Sequence, residues 1–585
     1  MSETDIVIPQ RGGFLRKLWA LSWPYFWSEE KWKARGLLAL IVALSLGLVY
    51  LNVVFNYWYK DFYNALETKN EPEFWQQIIR FCYIAAAFMV VAVYYLYLQQ
   101  MLQIRWRRWM TDRLVGDWLS NRAYYHLQLD VGRGDHRADN PEQRIEEDVK
   151  LFTDSTLDLS LGLLNSTVTL ASFVVILWSL SGTLNFSLGS LEIAIPGYMV
   201  WAAVLYAAIG SFLTFFIGRP LVKTNFELQR YNASFRFRMT RLRENAESIA
   251  FYGGEANERI FLRHSFGLIW DTWWRFMRQQ KRLTWFTRFY DQAAVPFPFL
   301  FSAGRYFSGQ LTLGALMQIA SAFGQVQGAL SWFVGAFSGL AAWKATVDRL
   351  TGFVDTMEYA RHAQSGIATA VSGGNELVTE DLELGLPDGR VLISDLDARI
   401  QRGDRVLVSG PSGSGKTTLF RALAGLWPFG KGSVRRPDQA RALFLPQRPY
   451  LPIGTLRDAI AYPAAVDTFS DADLTSALDA VNLPHLKDRL GDDENWSMAL
   501  SVGEQQRLAI ARALLLKPDW LYLDEATAAL DAENEKQMYE LLKTRLPDTT
   551  ILSIAHRPAV AAYHDRRLAI DPKTQTAVLG PIAAE

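Results

Sequence analysis

The sequence predicts a multi-domain chain in two unlike parts: an all-α transmembrane domain of six helices, followed by an α/β domain built around a phosphate loop. Three observations carry this reading. Long stretches free of Asp, Glu, Lys and Arg crowd the part before Trp343, whereas the rest is ordinarily charged. The segment Gly410–Thr417 is a glycine-rich loop set between a strand-like run and a helical one. Charged residues make up only 21% of the chain and 20 residues are Trp, against about 25% charged in a typical soluble domain.

Composition excludes several classes. Lys+Arg and Asp+Glu are both 60, so the formal net charge is zero. That removes chain-wide electrostatic attraction to nucleic acid, and no nucleic-acid partner is expected. The single cysteine, Cys82, excludes an intrachain disulfide and a cysteine metal cluster; within its apolar run it is expected to be a small buried hydrophobe. No cleavable signal peptide is expected, because the first 35 residues lack a short apolar core followed by a small-residue site.

In chain order, residues 1–35 are expected to form an interfacial arm. Phe14 to Trp32 mixes basic residues with Leu, Phe and Trp, the pattern of a helix lying on a membrane surface. Residues 36–360 form the transmembrane domain. Gly36–Tyr59, Phe81–Ile104, Leu159–Leu191, Ile193–Gly218 and Tyr306–Trp343 are uncharged, and each exceeds the about 20 apolar residues a helix needs to cross a bilayer. Only Glu192 separates the third run from the fourth. Leu283–Gly304 is a weaker span holding Arg288 and Asp291. Its strongly apolar residues favour insertion by about 2.4–4.8 kcal/mol, while two central charges oppose it by about 5–7 kcal/mol. It therefore needs a protein or water-lined setting, or its charges must reach an interface; three residues apart, Arg288 and Asp291 share a helix face and are placed to pair, and as charges within a span they are candidates to line a pathway, with snorkelling of Arg288 to the cytoplasm as the alternative.

Basic residues set the orientation. Arg11, Arg16, Lys17, Lys31, Lys33 and Arg35 precede the first span, Arg105, Arg107, Arg108 and Arg113 follow the second, and Arg219, Lys223, Arg230 and Arg236 follow the fourth. The positive-inside rule then puts both termini in the cytoplasm, which requires an even number of spans. The two long loops, Arg105–Asp158 and Arg219–Arg282, are expected to be largely helical. In Asp139-Asn140-Pro141-Glu142, Asn140 is expected to cap a helix that Pro141 and Glu142 open. In the last span, Gln318 and Gln325 are seven apart and share a face, a candidate wet pathway beside small residues suited to close packing. Residues 361–375 are read as a linker from the Gly-rich stretch His362–Gly374, and 376–585 as the α/β domain, with strands at Arg405–Ser409, Ala442–Leu445 and Trp520–Asp524.

The chemistry lies in this second part. Gly410-Pro411-Ser412-Gly413-Ser414-Gly415-Lys416-Thr417 fits G-x-x-x-x-G-K-[ST], after a strand (RVLVS) and before a helix (TLFRALAGL). Glycines let successive N–H groups curl around phosphate oxygens, and the helix N-terminus adds positive partial charge. Lys416 suits the β/γ phosphates and Thr417 suits Mg²⁺. Leu521-Tyr522-Leu523-Asp524-Glu525 is a buried-type strand ending in two acids: Asp524 suits Mg²⁺, and Glu525 suits a base that orients attacking water.

Leu500-Ser501-Val502-Gly503-Glu504-Gln505-Gln506-Arg507, with the helix after it, resembles the signature of the ATP-binding cassette (ABC) transporters. Gln447 in LPQRPYLPIGTLRD matches that family's Q-loop, Ala529-Leu530-Asp531 its D-loop, and His556 in SIAHRP its switch histidine. The resemblance covers the whole α/β part and implies roles. ATP and Mg²⁺ are the expected ligands. Gly410, Pro411, Ser412, Gly413, Ser414, Gly415, Lys416, Thr417 and Thr418 bind phosphate; Ser501, Gly503, Gln505 and Asp531 serve the nucleotide across a dimer interface. Thr417, Gln447 and Asp524 serve the metal, and Glu525, His556, Gln447 and Lys416 serve hydrolysis. Two positions depart from the pattern: Val502 replaces the first signature glycine, and Leu386 stands where many relatives carry an adenine-stacking aromatic.

In the first part, Asp139–Val149 resembles a stretch of the bacterial peptide-uptake permeases of the SbmA/BacA type and of the peroxisomal fatty-acyl transporters of subfamily D. Glu244–Glu255 is similar to the coupling segment of the latter, and Ala246–Glu258 is assigned to that contact. With one phosphate loop and one signature per chain, the resemblance implies a homodimeric half-transporter of twelve spans. It sits in a bilayer, expected to be a bacterial inner membrane, and ATP drives the uptake of peptides or peptide-like amphipathic solutes. Fatty-acyl, lipid and cobalamin-type cargo remain open, as does a membrane-bound regulatory ATPase that moves nothing. No residue pattern fixes cargo or direction.

Overall fold

The computed structural model describes residues 13–129, 140–188, 191–362, 365–372, 374–437 and 441–582. Arg11, Asp139 and part of the predicted linker lie outside the described residues. The described residues divide into a helical unit, up to Leu127 and from Asn140 to Arg361, and a cassette from His362 onward, with Gln128 and Leu129 assigned to the second unit.

The helical unit opens with α1 (Phe14–Trp27), α2 (Lys31–Glu67) and α3 (Glu71–Leu119). The last two form a hairpin whose turn ends at Asn70. This residue caps α3 by accepting from the Glu73 N–H, and Glu71 and Glu73 complement the dipole. Next come α4 (Ala123–Leu129), α5 (Pro141–Gln143), a π-helical turn (Arg144–Asp148) and α6 (Val149–Ser181). A hairpin of β1 (Thr183–Leu188) and β2 (Leu191–Pro196) leads to α7 (Tyr198–Glu244), α8 (Ala246–Tyr252), α9 (Glu255–Ala294), α10 (Phe297–Phe307) and α11 (Leu313–Arg361). The helices α2, α3 with α4, α5 with α6, and α7 are long and apolar enough to cross a membrane. The fifth predicted span is split at Val295-Pro296 between α9 and α10, and α11 carries most of the last uncharged run, the sixth predicted span.

One core joins α1, α2, α3, α6 and α11 around Tyr25, Trp106, Phe152 and Leu350. A second lies around Phe173, Met199 and Phe323 of α6, α7 and α11. Polar links fix the frame. Glu67 and Asn64 of α2 accept from the Leu313 and Gly314 N–H groups, satisfying the first turn of α11. The Arg305 guanidinium donates to the last carbonyls of α6, Leu180 and Ser181. Asp148 is 2% exposed and accepts from Arg144 at 2.7 Å and from Arg349 at 2.5 and 2.9 Å, bolting the π-turn to α11.

Several expectations are corrected. The uncharged runs on either side of Glu192 are not continuous spans: α6 stops at Ser181 and α7 starts at Tyr198, with the β1–β2 hairpin between them. Gly182 and Gly197 turn the chain with positive φ, and a Cβ on Gly197 would meet the Trp178 ring at 2.4 Å. The sixth helix begins at Leu313 rather than Tyr306. Asn140 precedes a helix opened by Pro141, yet its side chain makes no cap hydrogen bond, because its backbone is left-handed rather than extended. Arg288 and Asp291 are both exposed and form no ion pair among the described residues; the neighbouring Tyr290 packs on Tyr206 of α7. Gln318 is 1% exposed, and its main-chain oxygen accepts from Asn56, so it is a packing residue between helices rather than part of a wet face with Gln325. Cys82 is exposed on the apolar flank of α3, because an isolated membrane helix bundle turns apolar residues outward.

The cassette contains β3 (Ala368–Ser372), β4 (Glu376–Gly385), β5 (Val391–Gln401), β6 (Arg405–Ser409), α12 (Lys416–Leu423), β7 (Gly430–Pro437), β8 (Ala442–Leu445), β9 (Gly454–Thr455), α13 (Leu456–Ala461), α14 (Asp471–Ala480), β10 (Asp493–Glu494), α15 (Trp496–Ala499), α16 (Val502–Leu516), β11 (Trp520–Asp524), α17 (Ala532–Arg545), β12 (Thr550–Ile554), β13 (Arg566–Asp571) and β14 (Thr576–Pro581). Strand β3 lies within the stretch read as a linker; it pairs in parallel with β7, and the preceding Ile367 is buried in the core. A small sheet has the order β3-β7-β4-β5, and the main sheet β14-β13-β6-β12-β11-β8. From β13 to β8 the main sheet is parallel. Its central strands are continuous apolar runs, as expected for strands buried on both faces. The order β6-β12-β11 brings three strand ends side by side, and each leads into a predicted site segment.

Candidate functional site

Strand β6 runs into the phosphate loop, β11 ends at Asp524-Glu525, and β12 leads to His556. Gly413 and Gly415 hold φ of 78° and 95°, the left-handed turns that curl the loop before α12. Lys416 is 7% exposed, and its ammonium donates to the Gly410 and Pro411 carbonyls at 2.8 and 2.9 Å. Burial pulls its pKa below the ordinary lysine value, opposed by the charges of Glu525 and Asp524. Ser414 Oγ is buried with no hydrogen-bond partner among the described residues. An orphaned hydroxyl inside a loop of this shape fits a phosphate oxygen.

Thr417 Oγ1 donates to Asp524 Oδ1 at 3.1 Å, so two hard oxygen donors from different elements meet at one point. That donor set fits Mg²⁺, which takes few protein ligands and fills its shell with water and phosphate oxygens. The Asp524 pKa is raised, chiefly by burial and further by Glu525, against the Thr417 hydrogen bond. A carboxyl raised in the folded state favours folding below its unfolded pKa and loses that contribution as pH rises through the folded value. Once ionised, Asp524 therefore works against the fold. Asp524→Asn is expected to raise the thermal midpoint of the nucleotide-free protein while removing Mg²⁺-dependent hydrolysis; a lowered midpoint in a melting scan contradicts this.

Glu525 is the centre of a hydrogen-bonded group at the strand ends. Its Oε1 lies 2.8 Å from His556 Nε2, and its Oε2 accepts from Gln447 Nε2 at 3.1 Å. Its backbone is left-handed, with φ of 53°, and its N–H bonds Ile554 of β12. A non-glycine residue held there at a strand end marks a carboxylate positioned by its surroundings. The Gln447 side chain points to Glu525 rather than to the Thr417–Asp524 pair; its amide oxygen is the atom with metal-ligand chemistry.

The signature residues divide by role. Ser501 caps α16 in a reciprocal box with Glu504, its hydroxyl donating to Glu504 Oε2 at 2.7 Å and accepting from the Glu504 N–H. Burial raises the Glu504 pKa, but the bonds from Ser501 outweigh it and leave it lowered. Val502 stands exposed at the first helical position, and Gly503 abuts Ala529 and Leu530. Gln505 turns inward and donates to the Ser497 and Leu500 carbonyls, so it shapes the signature loop. Asp531 caps α17 by accepting from the Asn534 N–H, and Thr418 is buried in α12. Leu386 is partly buried against the cassette core.

Three residues were missed by sequence reasoning. Gln506 is 1% exposed and touches both the Q-loop and the D-loop. Arg512 is 5% exposed and donates to the Ala459 and Tyr450 carbonyls; burial pushes its pKa down to about 10. Arg557 ties the switch segment to the D-loop through Leu530 and through Glu535, which also accepts from Thr527. A lone arginine among the alanines of LAIARALLL was a signal for Arg512. Nothing in the sequence places the partners of Gln506.

The chain is similar to known proteins along most of its length. A family profile described as "ABC transporter transmembrane region 2" matches residues 21–307, and one described as "ABC transporter" matches residues 393–528. The "Inner membrane ABC transporter ATP-binding protein YddA" of Escherichia coli is 34% identical across 92% of this chain and 94% of its own. The "ABC transporter D family member 2, chloroplastic" of Arabidopsis thaliana is 33% identical across 97% of this chain and 88% of its own. Among solved structures, a bacterial Atm1-family ABC exporter with ATP bound superposes with a TM-score of 0.74 at 20% identity, covering 94% of this chain and 95% of the other. That likeness establishes the fold.

Proposed function

Since the chain belongs to the ABC transporters, as a half-transporter of the subfamily D and YddA group, we propose that it is a homodimeric importer of peptides or peptide-like amphipathic solutes. It is a multi-pass membrane protein that hydrolyses ATP to drive transport. The observation that carries the mechanism is the Glu525 carboxylate, held between Gln447 and His556 at 3.1 and 2.8 Å. Glu525 orients the attacking water and takes up its proton, while His556 and Gln447 fix the carboxylate. Lys416, Ser414 and the loop amides bind phosphate. Thr417 and Asp524, with the Gln447 amide oxygen, would hold Mg²⁺, which would supply positive charge to the phosphates.

The dimer follows from the inventory of motifs. One chain supplies one phosphate loop and one signature, and a signature that acts on another subunit's nucleotide needs a second copy. Cytoplasmic termini are supported by the basic loops, and a bacterial inner membrane by the printed name of the Escherichia coli relative. The coupling role of Ala246–Glu258 and the peptide cargo rest on the resemblances of Glu244–Glu255 and Asp139–Val149; both leave acyl cargo as the rival.

The test is reconstitution in vesicles with outward-facing cassettes, preloaded with labelled peptides or fatty-acyl thioesters. ATP-dependent release of peptide from the lumen that disappears in Glu525→Gln supports the proposal, and ATP-dependent accumulation of peptide added outside overturns the direction. Release of acyl cargo alone overturns the cargo. Ligand-stimulated ATP turnover without transfer of any solute overturns transport of this cargo class and returns the regulatory reading.

A further inference from the structure

Gln506 lies in the second turn of α16, the helix that Ser501 opens, and is 1% exposed. Its amide Nε2 donates to the main-chain oxygen of Gln447 at 2.9 Å, and its Oε1 accepts from the Ala529 N–H at 3.0 Å. One buried side chain thus closes two main-chain valences belonging to different loops. Both loops frame the hydrolytic glutamate. Gln447 is the residue whose side chain holds Glu525 Oε2. Ala529 lies in the turn that leaves Glu525, where the Ala528 N–H bonds the Glu525 carbonyl. The signature helix, the donor to the carboxylate and the backbone turn beneath it are therefore linked through a single amide.

We propose that Gln506 is a positioning residue that makes the geometry of Glu525 depend on the placement of the signature helix, so that hydrolysis follows engagement of the signature with nucleotide. The chemistry selects an amide. One donor and one acceptor are needed on a planar group of this length. Ionised Glu offers acceptors only, which leaves the Gln447 carbonyl facing a carboxylate, and Leu offers neither. A main-chain group left without a partner in a buried site moves until it finds one, and a displaced Gln447 takes the Glu525 carboxylate with it. The phosphate loop makes no bond to Gln506, so ground-state nucleotide binding is independent of it. The inference rests on the assignment of Glu525 as the base.

The experiment measures steady-state ATP turnover of the full-length protein in lipid nanodiscs, with Q506L, Q506E, E525Q and the double variants. A misplaced catalytic group is expected to lower kcat by about ten- to a hundredfold in Q506L and Q506E, with KM for MgATP within about twofold of the parent. In the E525Q background, Q506L is expected to add no further loss to the residual rate, because the residue acts through a group already removed. Parental kcat in Q506L or Q506E, a rise in KM matching the fall in kcat, or full additivity with E525Q overturns the proposal. Parental turnover in E525Q itself overturns the base assignment instead, a separate result. Should neither Gln506 variant assemble, hydrogen exchange in the parent decides: a protected Ala529 amide supports the link, and a freely exchanging one overturns it.

Discussion

Replacing Glu525 by Gln is expected to lower ATP turnover by about a hundred- to ten-thousandfold, the range for loss of a general base, while MgATP still binds. The amide keeps the length and planarity of the carboxylate. It also retains an oxygen able to accept from Gln447 Nε2 or from His556, which now lie 3.1 and 2.8 Å from the two carboxylate oxygens. What it cannot do is take a proton from water. The strained backbone at Glu525, φ of 53°, belongs to the strand end and its bond to Ile554 rather than to the charge, so the substitution leaves the turn intact. Binding groups lie elsewhere, on the phosphate loop. The result is a protein that loads nucleotide and stalls. Equilibrium binding of MgATP beside single-turnover hydrolysis checks both halves, and normal hydrolysis would require another base.

The legible and the hidden features of this chain differ in kind. Strands β6, β8 and β11 were readable because each is a short continuous apolar run, and the structure places them at the predicted residues. The phosphate loop was readable because its motif fixes local backbone geometry, whatever the rest of the chain does. The β1–β2 hairpin was hidden because it is almost uncharged: a tally of charges cannot tell a span from an apolar hairpin between two spans. Cys82 was misread because burial rules for soluble cores reverse on the outer face of a membrane helix. Spacing put Arg288 and Asp291 on one face but could not set the rotation of α9, which places Tyr290 against Tyr206. Gln506 stood within a recognised motif, yet its partners lie 59 and 23 residues away, in two loops brought together only by the order of the parallel strands.

Removal of the Lys416 head group is expected to reduce hydrolysis to background and to weaken MgATP binding by about ten- to a hundredfold, the equivalent of a charge-assisted hydrogen bond worth about 1.5–3 kcal/mol. Lys416→Met keeps most of the buried stem, so the loss isolates the ammonium. Two of that group's three donors are engaged by the Gly410 and Pro411 carbonyls, which leaves the third for a phosphate oxygen. The loop therefore holds the charge in place before nucleotide arrives, with no reorganisation left for the reaction itself. Hydrolysis falls further than binding, because negative charge on the leaving phosphates grows toward the transition state. Lys416→Arg tests geometry separately from charge. A planar guanidinium cannot place compact, tetrahedrally arranged donors between the same two carbonyls, so Arg is expected to recover binding in part and turnover hardly at all. Turnover restored by Arg would mean that net positive charge suffices, and that the two carbonyl bonds have no part in aiming it.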